Sequence, residues 1–168
     1  MPRPRASADD GFTLVEVMTT VVIFGILTAA AVWAWKGYTK ATQESGTATS
    51  VVETLRNAQE RAQAEDTNYC VRFTAGATTW TLYRSACGTG TVVDRGSTEA
   101  NTVVIATASF DDPSTGVTSS DVVFTPRGVS SGGNLTITRT GASKVYQINV
   151  VGLTGRVCEV GVDAQCST

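Results

Sequence analysis

The chain has 168 residues, 42% of them hydrophobic, which is enough for one domain with a substantial core. Lys and Arg number 13 against 15 Asp and Glu, a net charge of −2, so there is no global attraction to nucleic acid or anionic lipid. Histidine is absent, which removes the base of the usual hydrolytic triads and the partner of cysteine in many zinc sites.

The first ten residues are polar and carry Arg3, Arg5, Asp9, Asp10 and two prolines. Next come Gly11-Phe12-Thr13-Leu14-Val15-Glu16 and an apolar run from Val17 to Trp35. As a helix, Phe12 to Trp35 would extend about 36 Å, enough to cross a hydrocarbon core of ~30 Å with some tilt. A carboxylate inside that core costs on the order of 3 kcal/mol, so Glu16 needs a partner. A cut between Gly11 and Phe12 would supply one, because the new amine of Phe12 is cationic at neutral pH. The alternatives are a signal anchor with a stray acid, or ordinary secretion with cleavage near Thr28-Ala29-Ala30-Ala31. Trp33, Trp35 and Tyr38 fall where an interfacial aromatic belt would anchor the helix, with Lys36 and Lys40 beyond them.

The Gly-Phe-Thr-Leu-x-Glu string ahead of an apolar run resembles the type III leader of type IV pilins and pseudopilins. The resemblance implies that a prepilin peptidase cuts after Gly11, that Phe12 becomes the methylated N-terminus, and that Glu16 is the assembly acid. Members of that family often carry a helix-loosening proline in the membrane segment. Here only Gly25 and Gly37 are available for that purpose.

From Lys36 to Asp66 the pattern turns amphipathic. Val51, Leu55, Ala58 and Ala62 recur at helical spacing with Glu53, Arg56, Glu60 and Arg61 between them. One helix from Phe12 to about Glu65 is expected, stopped by Asp66-Thr67-Asn68. The period then changes to two. Tyr69–Phe73 and Trp80–Tyr83 flank Ala75-Gly76-Ala77-Thr78 as a hairpin. Further strands are expected at Val103–Ala106, Val122–Phe124, Leu135–Thr138, Tyr146–Val150 and Gly155–Val160. A long N-terminal helix, transmembrane in its first half and amphipathic in its second, packed on an antiparallel sheet defines an α+β fold. The expected divisions are a cleaved leader (1–11), a transmembrane helix (12–35), an amphipathic helix (36–66) and a β-rich domain (67–168).

Four cysteines, Cys70, Cys87, Cys158 and Cys166, read as two disulfides in an exported domain. Four cysteines allow three connectivities, and proximity favours Cys70–Cys87 and Cys158–Cys166. Their spacing does not suit zinc. Gly128-Val129-Ser130-Ser131-Gly132 matches the Gly-x-Ser-x-Gly string of hydrolases, but with no histidine and with strands on both sides it reads as a turn. Asp111-Asp112 before Pro113-Ser114-Thr115-Gly116 reads as a solvated loop rather than a calcium site. The inventory offers no catalytic set, metal site or cofactor motif. Arg127, Arg139, Lys144 and Arg156 follow one another without an intervening acid between Val122 and Cys158, and are a candidate basic patch for DNA.

A second resemblance covers the C-terminal half. Val122-Val123-Phe124-Thr125-Pro126-Arg127-Gly128, then Gly133-Asn134-Leu135-Thr136-Ile137, then Val150-Val151-Gly152-Leu153-Thr154-Gly155-Arg156-Val157 look like the GspH/FimT group of minor pilins. This implies a non-enzymatic structural subunit of a type IV pilus or type II secretion filament. Its partners would be a prepilin peptidase and other pilins, and its location the cytoplasmic membrane before assembly into an extracytoplasmic filament. The alternative is a DNA-binding minor pilin acting in DNA uptake. That group's Gly-Arg-x-Arg string reads here Gly155-Arg156-Val157-Cys158, with the second arginine replaced.

Overall fold

A computed structural model describes residues 12–112, 115–141 and 145–160. Helix α1 (Leu14–Ala64) runs for 51 residues without a break. Thr13 caps its start: the Glu16 amide donates to the Thr13 carbonyl at 3.1 Å and to its hydroxyl at 3.3 Å. Asp66 ends it in the left-handed region (φ 48°), while the Thr67 amide reaches back to the Ala62 carbonyl. That is the geometry glycine usually supplies at a helix C-terminus, here taken by an aspartate.

The chain divides into two units, residues 1–39 and 40–168. In the first, every described residue up to Tyr38 is exposed, including Val17, Val21, Phe24, Leu27, Trp33 and Trp35. Its hydroxyls are satisfied along the helix itself: Thr19, Thr20 and Thr28 donate to the carbonyls of Glu16, Val17 and Phe24. Such local bonds remove the need for water around a polar side chain in an apolar helix.

The second unit has two antiparallel sheets. One has the order β3-β2-β1-β6, with β1 (Tyr69–Arg72), β2 (Thr79–Arg84), β3 (Thr91–Ser97) and β6 (Asp121–Phe124). The other has the order β5-β4-β7-β8-β9, with β4 (Val103–Asp111), β5 (Thr118–Ser119), β7 (Gly132–Arg139), β8 (Val145–Val151) and β9 (Arg156–Val160). Val51, Leu55, Ala58 and Ala62, the stripe read from sequence, are fully buried together with Ala48 and Val52. They share one core with Tyr69, Val71, Leu82, Val122 and Phe124 of the first sheet and with Ile105, Leu135, Ile137, Ile148 and Val150 of the second. Each large side chain so buried is worth about 1.5–3 kcal/mol relative to exposure. Trp80 adds a polar tie, its indole N–H donating to Thr54 of the helix at 3.1 Å.

The expected hairpin is β1 and β2, with Val71 opposite Leu82. Two strands escape the sequence reading. β3 is an exposed edge strand carrying Asp94, Arg95 and Gly96, so it shows no apolar alternation. Gly96 stands over the Trp80 ring, where any side chain would collide with the indole. β5 is only two residues long. β4 also runs past the expected Ala106 to Asp111. A register shift between Ile105 and Thr107 switches the inward parity, so Val103 and Ile105 face the core first and Phe110 afterwards.

Candidate assembly site and basic residues

Glu16 stands in the first turn of α1, where the partial positive charge of the helix N-terminus favours an acid. Phe12 precedes it and is exposed; Gly11 lies outside the described residues. Around them the helix surface is apolar, with Val15, Met18, Thr19, Val22 and Ile23 lining a shallow depression. The arrangement offers one carboxylate on a bare apolar helix, suited to packing against other apolar helices or lipid.

Cys70 is buried in β1 and bonded to Cys87 in the β2–β3 connection, with Cα atoms 5.3 Å apart. Cys158 in β9 is also disulfide-bonded, while its expected partner Cys166 lies outside the described residues. Beside the first bridge is an ion pair that the sequence reading missed. Arg72 grips Asp121 through Nε at 3.0 Å and Nη2 at 2.8 Å, and stands 6.0 Å from the Tyr83 ring centre. The hydrogen bond to Asp121 raises the Arg72 pKa above its usual value. Register alone could have signalled the pair, since Arg72 and Asp121 lie opposite each other on β1 and β6.

The basic residues do not gather into one patch. Arg139, at the end of β7, is turned into the fold and bonded to Glu44 at 2.8 Å. Arg127 is exposed in the β6–β7 connection, and Arg156 is exposed at the start of β9. Those two lie at a common end. A Cβ on Gly155 would stand 3.1 Å from the Gly128 carbonyl, and Gly155 also abuts Gln59 of the helix. From Glu44 to Gln59 the helix advances about 22 Å. Arg139 therefore serves a different end of the unit from Arg127 and Arg156. Lys144 lies outside the described residues.

The Gly-x-Ser-x-Gly string is a structural turn. Ser130 and Ser131 are buried, the Ser131 hydroxyl accepts the Val123 amide at 3.0 Å, and the Ser130 amide donates to the Gly152 carbonyl. The Thr-Gly-Arg stretch also has a packing reason. Gln59 donates to the Thr154 carbonyl at 3.2 Å, and Gly155 (φ 64°) lets the β8–β9 turn lie against the helix. Asp111 and Asp112 hold their own loop, accepting from the Thr118 hydroxyl and the Thr115 amide.

Comparison with known proteins agrees with this geometry. Residues 7–32 match the prokaryotic N-terminal methylation motif, and residues 33–154 match the family described as type II transport protein GspH. No curated protein sequence matches the chain. Among solved structures, the minor pseudopilin EpsH from the type 2 secretion system of Vibrio cholerae aligns with a TM-score of 0.56 at 12% identity. That alignment covers 73% of this chain and 99% of the other. The type IV minor pilin FimU of Pseudomonas aeruginosa aligns with a TM-score of 0.55 at 13% identity, over 73% and 92% of the two chains. At such identity these two likenesses speak for the fold. The methylation motif on an apolar helix and the family match over 33–154 define a pilin-type subunit. The chain belongs to the GspH family and is a minor pilin or pseudopilin.

Proposed function

We propose that the subunit is held in the cytoplasmic membrane by residues 12–35, cut by a prepilin peptidase between Gly11 and Phe12, and then drawn into an extracytoplasmic filament with other pilins. The carrying observation is an apolar helix exposed from Phe12 to Tyr38, with Glu16 in its first turn, continuous with a domain that already has a closed core. Such a helix needs lipid or neighbouring helices, and Glu16 needs a cation. The methylated amine of Phe12, on the same or an adjacent subunit, supplies that cation where apolar helices pack together. The amphipathic half of the helix then runs from residue 36 to its end at Ala64, and residues 67–168 make up the β-rich domain. The family is one of structural subunits, and no catalytic role is proposed.

Mass spectrometry of the mature protein tests the reading. The expected N-terminus is Phe12 carrying one extra methyl group. An N-terminus near Ala31 would mean ordinary signal-peptidase processing and would overturn the proposal. Gly11→Val should leave full-length precursor in the membrane, because a branched side chain crowds the cleavage position.

A further inference from the structure

Where α1 enters the folded unit, a single side chain holds it at three positions. Arg139 donates from Nε to Glu44 Oε1 at 2.8 Å, and from Nη2 to the Lys40 carbonyl at 2.9 Å and to Gln43 Oε1 at 3.2 Å. Lys40, Gln43 and Glu44 are spaced i, i+3, i+4, so the guanidinium grips one face of one turn. Its Nη1 donates to the Thr102 hydroxyl at 2.8 Å, which joins the grip to the connection before β4. That connection touches the next turn as well. The Glu99 amide donates to the buried Thr47 hydroxyl at 3.1 Å, and a Cβ on Gly46 would stand 3.2 Å from Glu99 Cγ. Glu44 and Arg139 are only 8% and 13% exposed in their side chains, so the pair is largely shielded from water.

The helix just before this grip is open to its surroundings. Residues up to Tyr38 are exposed, and Gly37, a weak helix former, has nothing within 4 Å of where a Cβ would stand. A helix unwinding from that side would reach, at Lys40, Gln43 and Glu44, a turn bonded to the sheet through Arg139.

We propose that Arg139 is a fray stop. It fixes Lys40 to Thr47 as helix, and so sets the residue up to which the exposed part of α1 can bend or unwind without disturbing the core. The device does not depend on the filament reading. It assigns Arg139 to positioning the helix, not to binding a ligand.

Amide hydrogen exchange of the full chain in detergent micelles tests this, read on peptides covering 40–48 and 51–62. Arg139→Gln should raise exchange in 40–48 by about tenfold or more, since charge-assisted bonds to the helix are lost, and leave 51–62 protected. Arg139→Lys keeps a charge for Glu44 without the planar fork, and should fall between wild type and Arg139→Gln. Unchanged exchange in 40–48 overturns the proposal. So does an equal rise in 51–62, which would make Arg139 a contributor to global stability alone. If Arg139→Gln does not fold, Thr102→Val carries the test, because it removes one acceptor and leaves the charge pair. It should give a smaller rise confined to 40–48, and no rise there overturns the proposal equally.

Discussion

Thr13 and Glu16 have the spacing of a capping box, in which the third residue of a helix reaches back to the amide of its cap. Glu16 can therefore support the start of α1 as well as pair with an N-terminal amine, and glutamine separates the two tasks. A glutamine can complete a capping box but cannot form an ion pair. Glu16→Gln should keep the helix content of the detergent-solubilised protein by circular dichroism, yet enter filaments or cross-links with partner pilins as poorly as Glu16→Val. Wild-type incorporation of Glu16→Gln would show that the cap suffices and that no charge pairing is needed. Gly155 is the other residue with a sharp expectation. Its left-handed backbone and its contact with Gln59 leave no place for a methyl group. Gly155→Ala should lower unfolding stability by about 1–3 kcal/mol in a denaturant titration, and a neutral result would mean the turn can move off the helix.

At the level of elements, the core side of α1 carries most of the packing. Leu55 is fully buried in the core that α1 shares with the sheets, and Leu55→Ala should cost about 2–5 kcal/mol, seen as a lower denaturant midpoint with a similar slope. The same change at an exposed apolar position such as Val22 should leave the domain's midpoint where it was. This helix was also the most legible element in the sequence. Its apolar residues recur at helical spacing for several turns, and its C-terminal end carries a local signal in Asp66-Thr67-Asn68. The strands that alternate against it, from β1 and β2 to β7 and β8, were legible for the same reason. β3 was not, because it is an edge strand whose residues are mostly exposed, with Val93 only partly buried against the core and Gly96 placed by its contact with Trp80. That edge is also partly closed by its own side chain, since Asp94 accepts the Arg95 amide at 2.7 Å. The candidate site divides along the same line. Gly11, Phe12 and Glu16 lie within six consecutive residues and could be read as a string. The partner of Arg139 lies 95 positions away and belongs to no local pattern.

For the whole molecule, the placement of the basic residues changes what a nucleic-acid experiment should find. Four converging charges would give a log–log salt slope near −3.6 for duplex DNA. With Arg139 bonded to Glu44 and remote from the Gly128–Gly155 end, among the described members of the set Arg127 and Arg156 share an end, for a slope of about −1.8. Against a net charge of −2, no saturable binding is expected at physiological salt. A steeper slope, reduced by Arg139→Gln, would mean that the Glu44 pair opens to release its arginine, and would restore DNA capture as a function. The mature N-terminus and this titration address opposite ends of the chain, so each can fail without the other.

The strand order also imposes a sequence of events on the maturing chain. β6 completes the first sheet beside β1, yet it follows β1 by some fifty residues and is made after β4 and β5 of the second sheet. The helix stripe, synthesised first, therefore waits for its cover until nearly the whole polypeptide has been made. The Cys70–Cys87 bridge lies within the β1–β2–β3 meander, only 17 positions apart, and can close before any of that long-range pairing. Oxidation can thus staple a local hairpin early without committing the chain to a wrong sheet. The slow steps fall to distant contacts, made while the N-terminal helix is already anchored. For such a subunit, the late strands decide when folding is complete.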